Sequence, residues 1–336
     1  MTLLGTRVFT LTIFLVMSAI VPAISMAQEA QPMSEIALGS SSGGTSRLGG
    51  MTMSGTISTE EPGSTTSNSG PEALAFDGTY VWVASQFTDR LTRVRVSDGA
   101  ISGTFTVGRR PVALLYAGGS VWVANLLSNN VMKLNKDTGA IVGTFNTGEG
   151  PGGLAYDGAS IWVANRNSNT VTKLKASTGA NLGSFAVGKR PIGLTYAAGS
   201  IWVANNFSNT VTRLSLAGAT QGSFAVGRGP FGVTSDGKNI WITNYFGKSL
   251  SKLQGTDGLN LGTFKVGDGA SGIVYAGASL WVVNNGDSTV MRIGPSDGSI
   301  ITTYATGKGP FAIAFDGKKI WVSNFASNSI STATVN

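Results

Sequence analysis

Residues 151–190 read PGGLAYDGASIWVANRNSNTVTKLKASTGANLGSFAVGKR, four short apolar runs parted by turn residues. The runs are 153–156, 161–164, 171–175 and 182–187. Asp157-Gly158 closes the first, residues 165–169 the second, Thr178-Gly179 the third and residues 188–191 the fourth. Val, Ile, Thr and aromatic residues fill the runs, the types that suit a pleated surface. Asp-Gly between two apolar runs predicts a hairpin with a type I′ turn, with positive φ at both central residues. A helical repeat needs runs of roughly ten or more residues with a 3.6 period, and none is present. Four antiparallel strands in about forty residues make one propeller blade.

The unit recurs along the chain. Trp82, Trp122, Trp162, Trp202, Trp241, Trp281 and Trp321 follow one another at spacings of 40, 40, 40, 39, 40 and 40, and no tryptophan lies outside the series. Each sits in one phrase: VWVAS, VWVAN, IWVAN, IWVAN, IWITN, LWVVN, IWVSN. A proline opens six of the units (Pro71, Pro111, Pro151, Pro191, Pro230, Pro310) and Ala270 the other. The expected fold is therefore all-β: a seven-bladed β-propeller of four-stranded antiparallel blades over residues 71–336. The blades are 71–110, 111–150, 151–190, 191–229, 230–269, 270–309 and 310–336. One indole per blade at one register is structural, filling the space between stacked sheets.

The last unit stops after its third strand, so its outer strand must come from elsewhere. An open sheet edge is a liability that rings remove by closure, which predicts that an N-terminal strand completes the last blade. Residues 51–57 (MTMSGTI) alternate apolar and polar and are preferred; residues 63–67 (GSTTS) have the better distance to Pro71. The rest of the tail over 28–70, rich in Ser, Gly and Thr, reads as a flexible spacer. Residues 1–27 read as a signal peptide: Arg7, an apolar stretch over 8–24, then Ser25-Met26-Ala27, with cleavage after Ala27. The expected location is secreted, periplasmic or cell-surface, not integral to a membrane once cleaved.

Two absences prune the chemistry. There is no cysteine, hence no disulfide and no thiolate nucleophile, and no histidine, the commonest general base and metal ligand. No cofactor, no metal and no catalytic residue is assigned. The aspartates of the Asp-Gly and Asp-Thr-Gly turns bond their own backbone, and no stretch has the closely spaced oxygens of a calcium loop.

Residues 71–336 carry 22 basic against 13 acidic side chains, a net +9. Loops alternate between two faces of a propeller, those after second and fourth strands sharing one, here the top. Nine basic and four acidic residues fall on the top, five basic and eight acidic on the bottom. Arg109, Arg110, Lys189, Arg190 and Arg228 stand before inner strands, near the channel mouth, and Phe231, Tyr245, Phe246 and Phe311 share that face. These nine are the candidate ligand-binding residues, because arginine interleaved with exposed rings suits a ligand with flat apolar faces and negative charge. An anionic glycan, an envelope component or an acidic protein surface fits; nucleic acid is not expected of an exported chain. Six second strands end in asparagine (Asn125, Asn165, Asn205, Asn244, Asn284, Asn324), read as turn caps bonding the backbone. Third strands carry Arg93, Lys133, Lys173, Arg213, Lys252 and Arg292 at one register, read as a solvated face.

The WVAN phrase in a repeat near forty residues resembles the YVTN-type β-propellers, and it is similar to the related virginiamycin B lyase group. The resemblance covers residues 71–336 and implies a cell-surface or periplasmic propeller. The lyase group opens a lactone ring with histidine and a divalent cation, and this sequence has no histidine to match. The reading is a monomeric, non-enzymatic binding scaffold. Its alternative is a carboxylate or divalent-cation lyase or hydrolase, which requires Glu72, Glu149 or Asp268 to converge at the mouth.

Overall fold

The computed structural model describes residues 30–37 and 69–335, and no helix lies among them. Seven sheets form, each running from an inner to an outer strand. The third blade, for example, is Pro151–Tyr156, Ser160–Asn165, Thr170–Lys175 and Asn181–Ala186. Inner strands of successive blades pack side by side, and the last, Pro310–Phe315, packs on the first, Pro71–Phe76. The chain is a seven-bladed β-propeller of four-stranded antiparallel blades closed by an N-terminal strand.

The closing strand is not residues 51–57 or 63–67, which lie outside the described residues. Ser34–Ala37 takes the place, antiparallel to Ser329–Thr334, with Ile36 opposite Ile330 as Phe105 is opposite Leu91 in blade one. Just before it, Gln31–Pro32 pairs in parallel with Ile300–Ala305, a fifth strand on blade six. Met33, between the two, is buried in the core of Trp281, Val283, Ile320 and Val322. Part of the segment read as a spacer is thus a clasp over two blades. Its composition misleads because one buried methionine and shared backbone bonds are enough to order eight residues against a preformed edge. A second closure lies on the top face, where Asn328 Oδ1 accepts the Ser69 and Gly70 amides at 3.0 and 3.1 Å.

All seven tryptophans are buried between blades, as their spacing predicts. Six carry a ring from the outer strand of their own blade, Trp82 on Phe105 at 5.2 Å through Trp281 on Tyr304 at 5.4 Å. The third-strand cations are not a solvated face. Lys173 Nζ sits 4.9 Å from the Trp162 ring and donates to Leu216 O of the next blade at 2.7 Å. Arg93, Lys133, Arg213 and Lys252 make the same crossing. Each cation lies over an indole and ties neighbouring blades, its half-buried stem carrying the charged end to carbonyls of the next blade's turn.

The turn after the first strand comes in two forms. In blades two, four and six both central residues have positive φ (Gly118-Gly119, Ala198-Gly199, Gly277-Ala278), the type I′ geometry. The Asp-Gly turns of blades one, three, five and seven do not adopt it; only their glycine is left-handed. There the aspartate organises the loop. Asp157 Oδ1 accepts the Ala159 and Ser160 amides at 2.8 and 2.6 Å, and Oδ2 accepts the Trp162 indole N–H at 2.8 Å. Burial pushes this carboxyl up, but the indole and the two amides outweigh it and hold it below its ordinary value of 3.8.

Asp157→Ala is expected to cost about 1 kcal/mol at pH 7, a charge-assisted bond discounted for a half-exposed carboxylate. A depressed carboxyl stabilises the fold above its unfolded pKa and ceases to as pH falls through the folded one. The deficit in urea unfolding should therefore shrink below pH 3.8. A deficit independent of pH would mean that packing, not the charge, is what the substitution removes.

Candidate functional site

The inner strands enter the top of the channel through a β-bulge. In blade one Pro71 pairs with Ser85 and Ala73 with Ala84, so Glu72 is the extra residue. Gly152 is the extra residue of blade three. A bulge re-aims one side chain, and Glu72, Val112, Ile192, Phe231 and Phe311 line the channel cavity at this level. The cavity has a volume of about 210 Å³.

Gly152 leaves a gap in that ring, and the Arg166 side chain occupies it. A Cβ at Gly152 would overlap Arg166 Nε. Arg166 Nη2 donates to Gly152 O at 3.2 Å and stands 4.0 Å from Glu72 Oε1, on a blade two places away. Both side chains are buried, 13% and 7% exposed, yet Arg166 Nε and Glu72 Oε2 have no partner among the described residues. Burial pushes Glu72 up to about 7, an effect that Arg166 and Arg110 only partly offset. Arg166 is also lowered by burial, with Glu72 opposing and Arg190 and Arg110 adding to the shift.

Arg110 and Arg190 flank this centre. Arg110 Nε donates to Gln86 Oε1 at 2.7 Å, and the Arg190 guanidinium lies 4.5 Å from the Phe207 ring. Both have left-handed backbones, φ 56° and 52°, at a position where the other five blades have glycine (Gly70, Gly150, Gly229, Gly269, Gly309). A non-glycine residue there costs roughly 1 kcal/mol or more. Asp89 Oδ1 accepts the Arg110 amide and Asn169 Oδ1 the Arg190 amide, holding the two backbones.

Blades five and seven face the arginines with rings. Phe231 lies 5.3 Å from Phe311, edge to face, and 5.9 Å from Tyr245, which lies 5.2 Å from Phe246. Burial raises the Tyr245 hydroxyl, with Asp268 adding to the effect, and that hydroxyl donates to Asn285 Oδ1 at 3.3 Å. Phe246 is 57% exposed. Arg109, Lys189 and Arg228 are exposed on the outer rim, and their charged ends form no ion pair with a described residue.

Of the nine candidate residues, Phe231 and Phe311 line the cavity itself, while Arg110, Arg190, Tyr245 and Phe246 stand around it. Arg109, Lys189 and Arg228 do not line it. Glu72, weighed in the sequence only as an acid of the alternative reading, and Arg166 form a pair that the nine candidates do not include. The signal for them was the Gly152-Gly153 step of PGGLAY, where other blades carry a side chain at the first glycine.

The asparagine series does not line the mouth. Those six residues are fully buried, and their amides donate to third-strand side chains rather than to the backbone, as Asn165 does to Thr170 and Thr172 at 3.0 and 2.9 Å. The carboxylates do not converge either. Glu149 and Asp268 do not line the cavity, and Asp268 pairs with Lys248 at 2.8 Å.

No protein-family model matches the chain, and no curated protein matches it. Solved structures do. Hydrazine synthase from Kuenenia stuttgartiensis superposes with a TM-score of 0.73 at 16% identity, over 82% of this chain and 99% of that one. A catalytically inactive virginiamycin B lyase from Staphylococcus aureus with quinupristin gives 0.71 at 20% identity, over 81% and 97%. A streptogramin B lyase gives 0.70 at 20%, over 81% and 95%. At such identities the likeness is one of fold.

Proposed function

We propose that this chain is an exported, non-enzymatic propeller of YVTN-like repeats that binds an anionic or amphipathic partner at its channel mouth. The partner classes are an acidic glycan, an envelope component or an acidic protein surface. The observation that carries the reading is the division of one mouth into a cationic half (Arg110, Arg166, Arg190) and an aromatic half (Phe231, Tyr245, Phe246, Phe311). The arginines at left-handed positions support it, since glycine would fit the backbone there with less strain. Binding is equilibrium docking on a rigid scaffold, with Arg109, Lys189 and Arg228 as the outer rim that steers a negative surface inward.

The test is binding of the chain from residue 28 onward to acidic polysaccharides and anionic vesicles at low and moderate salt. Saturable binding is expected, weakening steeply with salt because exposed charges are screened within about 10 Å at 0.1 M. Replacing Arg109, Arg110, Lys189 and Arg190 with serine is expected to weaken it by about a hundredfold, about 0.7 kcal/mol for each of the four side chains. Unchanged affinity in that variant overturns the reading.

A further inference from the structure

We propose that the channel cavity is a site for a small carboxylate-bearing ring compound, its carboxylate between Arg166 and Glu72 and its ring against Phe231 and Phe311. The inference deepens the binding reading and rests on it for the face used. At about 210 Å³ the cavity is below the range of drug-sized pockets, so it suits a single ring with one small substituent. Two of its buried polar atoms await a partner: Glu72 Oε2 and Arg166 Nε. Buried polar groups in folded proteins are nearly always bonded, so a pair left open in one cavity marks where a ligand or water sits.

The charge around them selects an anion. Arg110, Arg166 and Arg190 act on this centre against Glu72 alone. A guanidinium presents donors in a planar fork that matches a carboxylate. The ligand carboxylate must also lie near Glu72, and two carboxylates at one arginine cannot both stay ionised, so one proton is held between them. That proton comes from solvent when Glu72 starts ionised and is already present when Glu72 starts protonated. Its burial places the change of regime near pH 7. On the opposite wall the edge-to-face Phe231–Phe311 pair offers a second ring an offset or edge contact.

Titration calorimetry with benzoate, and with benzamide as its uncharged counterpart, tests the site. Benzoate is expected to bind at pH 6 and benzamide at least about tenfold more weakly. Above pH 8 benzoate affinity should fall about tenfold per pH unit, with about one proton taken up per ligand, read from two buffers of different ionisation enthalpy. Glu72→Gln should flatten that pH dependence. Gly152→Ala should abolish binding by displacing the Arg166 guanidinium while keeping its charge, and an unchanged melting temperature shows that the variant folds. Benzamide binding as well as benzoate, an unaltered pH profile in Glu72→Gln, or full affinity in Gly152→Ala each overturns the inference. Polysaccharide or vesicle binding without benzoate binding removes this site and leaves the broader reading; benzoate binding without the other does the reverse.

Discussion

A chain lacking residues 30–37 is expected to melt at markedly lower temperature and to self-associate. Removing those residues strips the fourth strand from blade seven and the fifth from blade six, and opens the core around Trp281 and Ile320 where Met33 sits. The exposed edge of Ser329–Thr334 then presents unpaired backbone groups to another chain. The single change Met33→Ala isolates the packing part. Truncating a buried methionine costs about 2–3 kcal/mol, at the lower end of the usual range because the clasp lies at the surface and can relax. Thermal melting with size-exclusion chromatography reads both variants. A truncated chain that stays monomeric with the parent melting temperature would mean that Asn328 and the inner-strand contacts close the ring unaided.

Glu72→Gln is expected to remove most of the fall in stability between pH 5 and pH 8. The folded state holds the Glu72 proton up to about pH 7, whereas the unfolded chain releases it near 4.5. Across that window the folded state binds more protons, so stability falls as pH rises, and the loss is complete once the folded carboxyl has ionised. A shift from 4.5 to about 7 corresponds to about 3 kcal/mol, an upper value because Arg166 and Arg110 relax with the charge. Urea unfolding at pH 5 and pH 8 should show the parent weaker at pH 8 by up to that amount and Glu72→Gln nearly level. Parallel curves for the two proteins would mean that Glu72 titrates as an ordinary carboxyl. Asp157 and Asp236, both held below the ordinary aspartate range, act in the opposite direction at the acid end. The parent should therefore be most stable between the two windows, above pH 3.8 and below about pH 4.5.

Much of the architecture was legible because it repeats. A tryptophan every forty residues, turn residues at fixed offsets and a missing last strand determine blade number, strand count and the need for an N-terminal closure. Local sequence also marked the mouth: Arg109-Arg110 and Lys189-Arg190 before the inner strands, and rings on blades five and seven. What it could not yield were contacts between residues far apart in the chain. Which tail segment closes the ring depends on Met33 finding a gap between two blades, a fit that alternation alone does not encode. Third-strand cations look solvated in a single blade and become inter-blade ties only when the next blade supplies carbonyls.

The same holds for the centre of the channel. Glu72 and Arg166 are 94 positions apart, and only ring closure with a side-chain-sized gap at Gly152 brings them within 4.0 Å. Sequence by itself determined the blade, because backbone pairing and turn geometry act within forty residues. The tertiary structure decided the clasp and the buried pair, because both arise from surfaces that exist only after the blades have stacked.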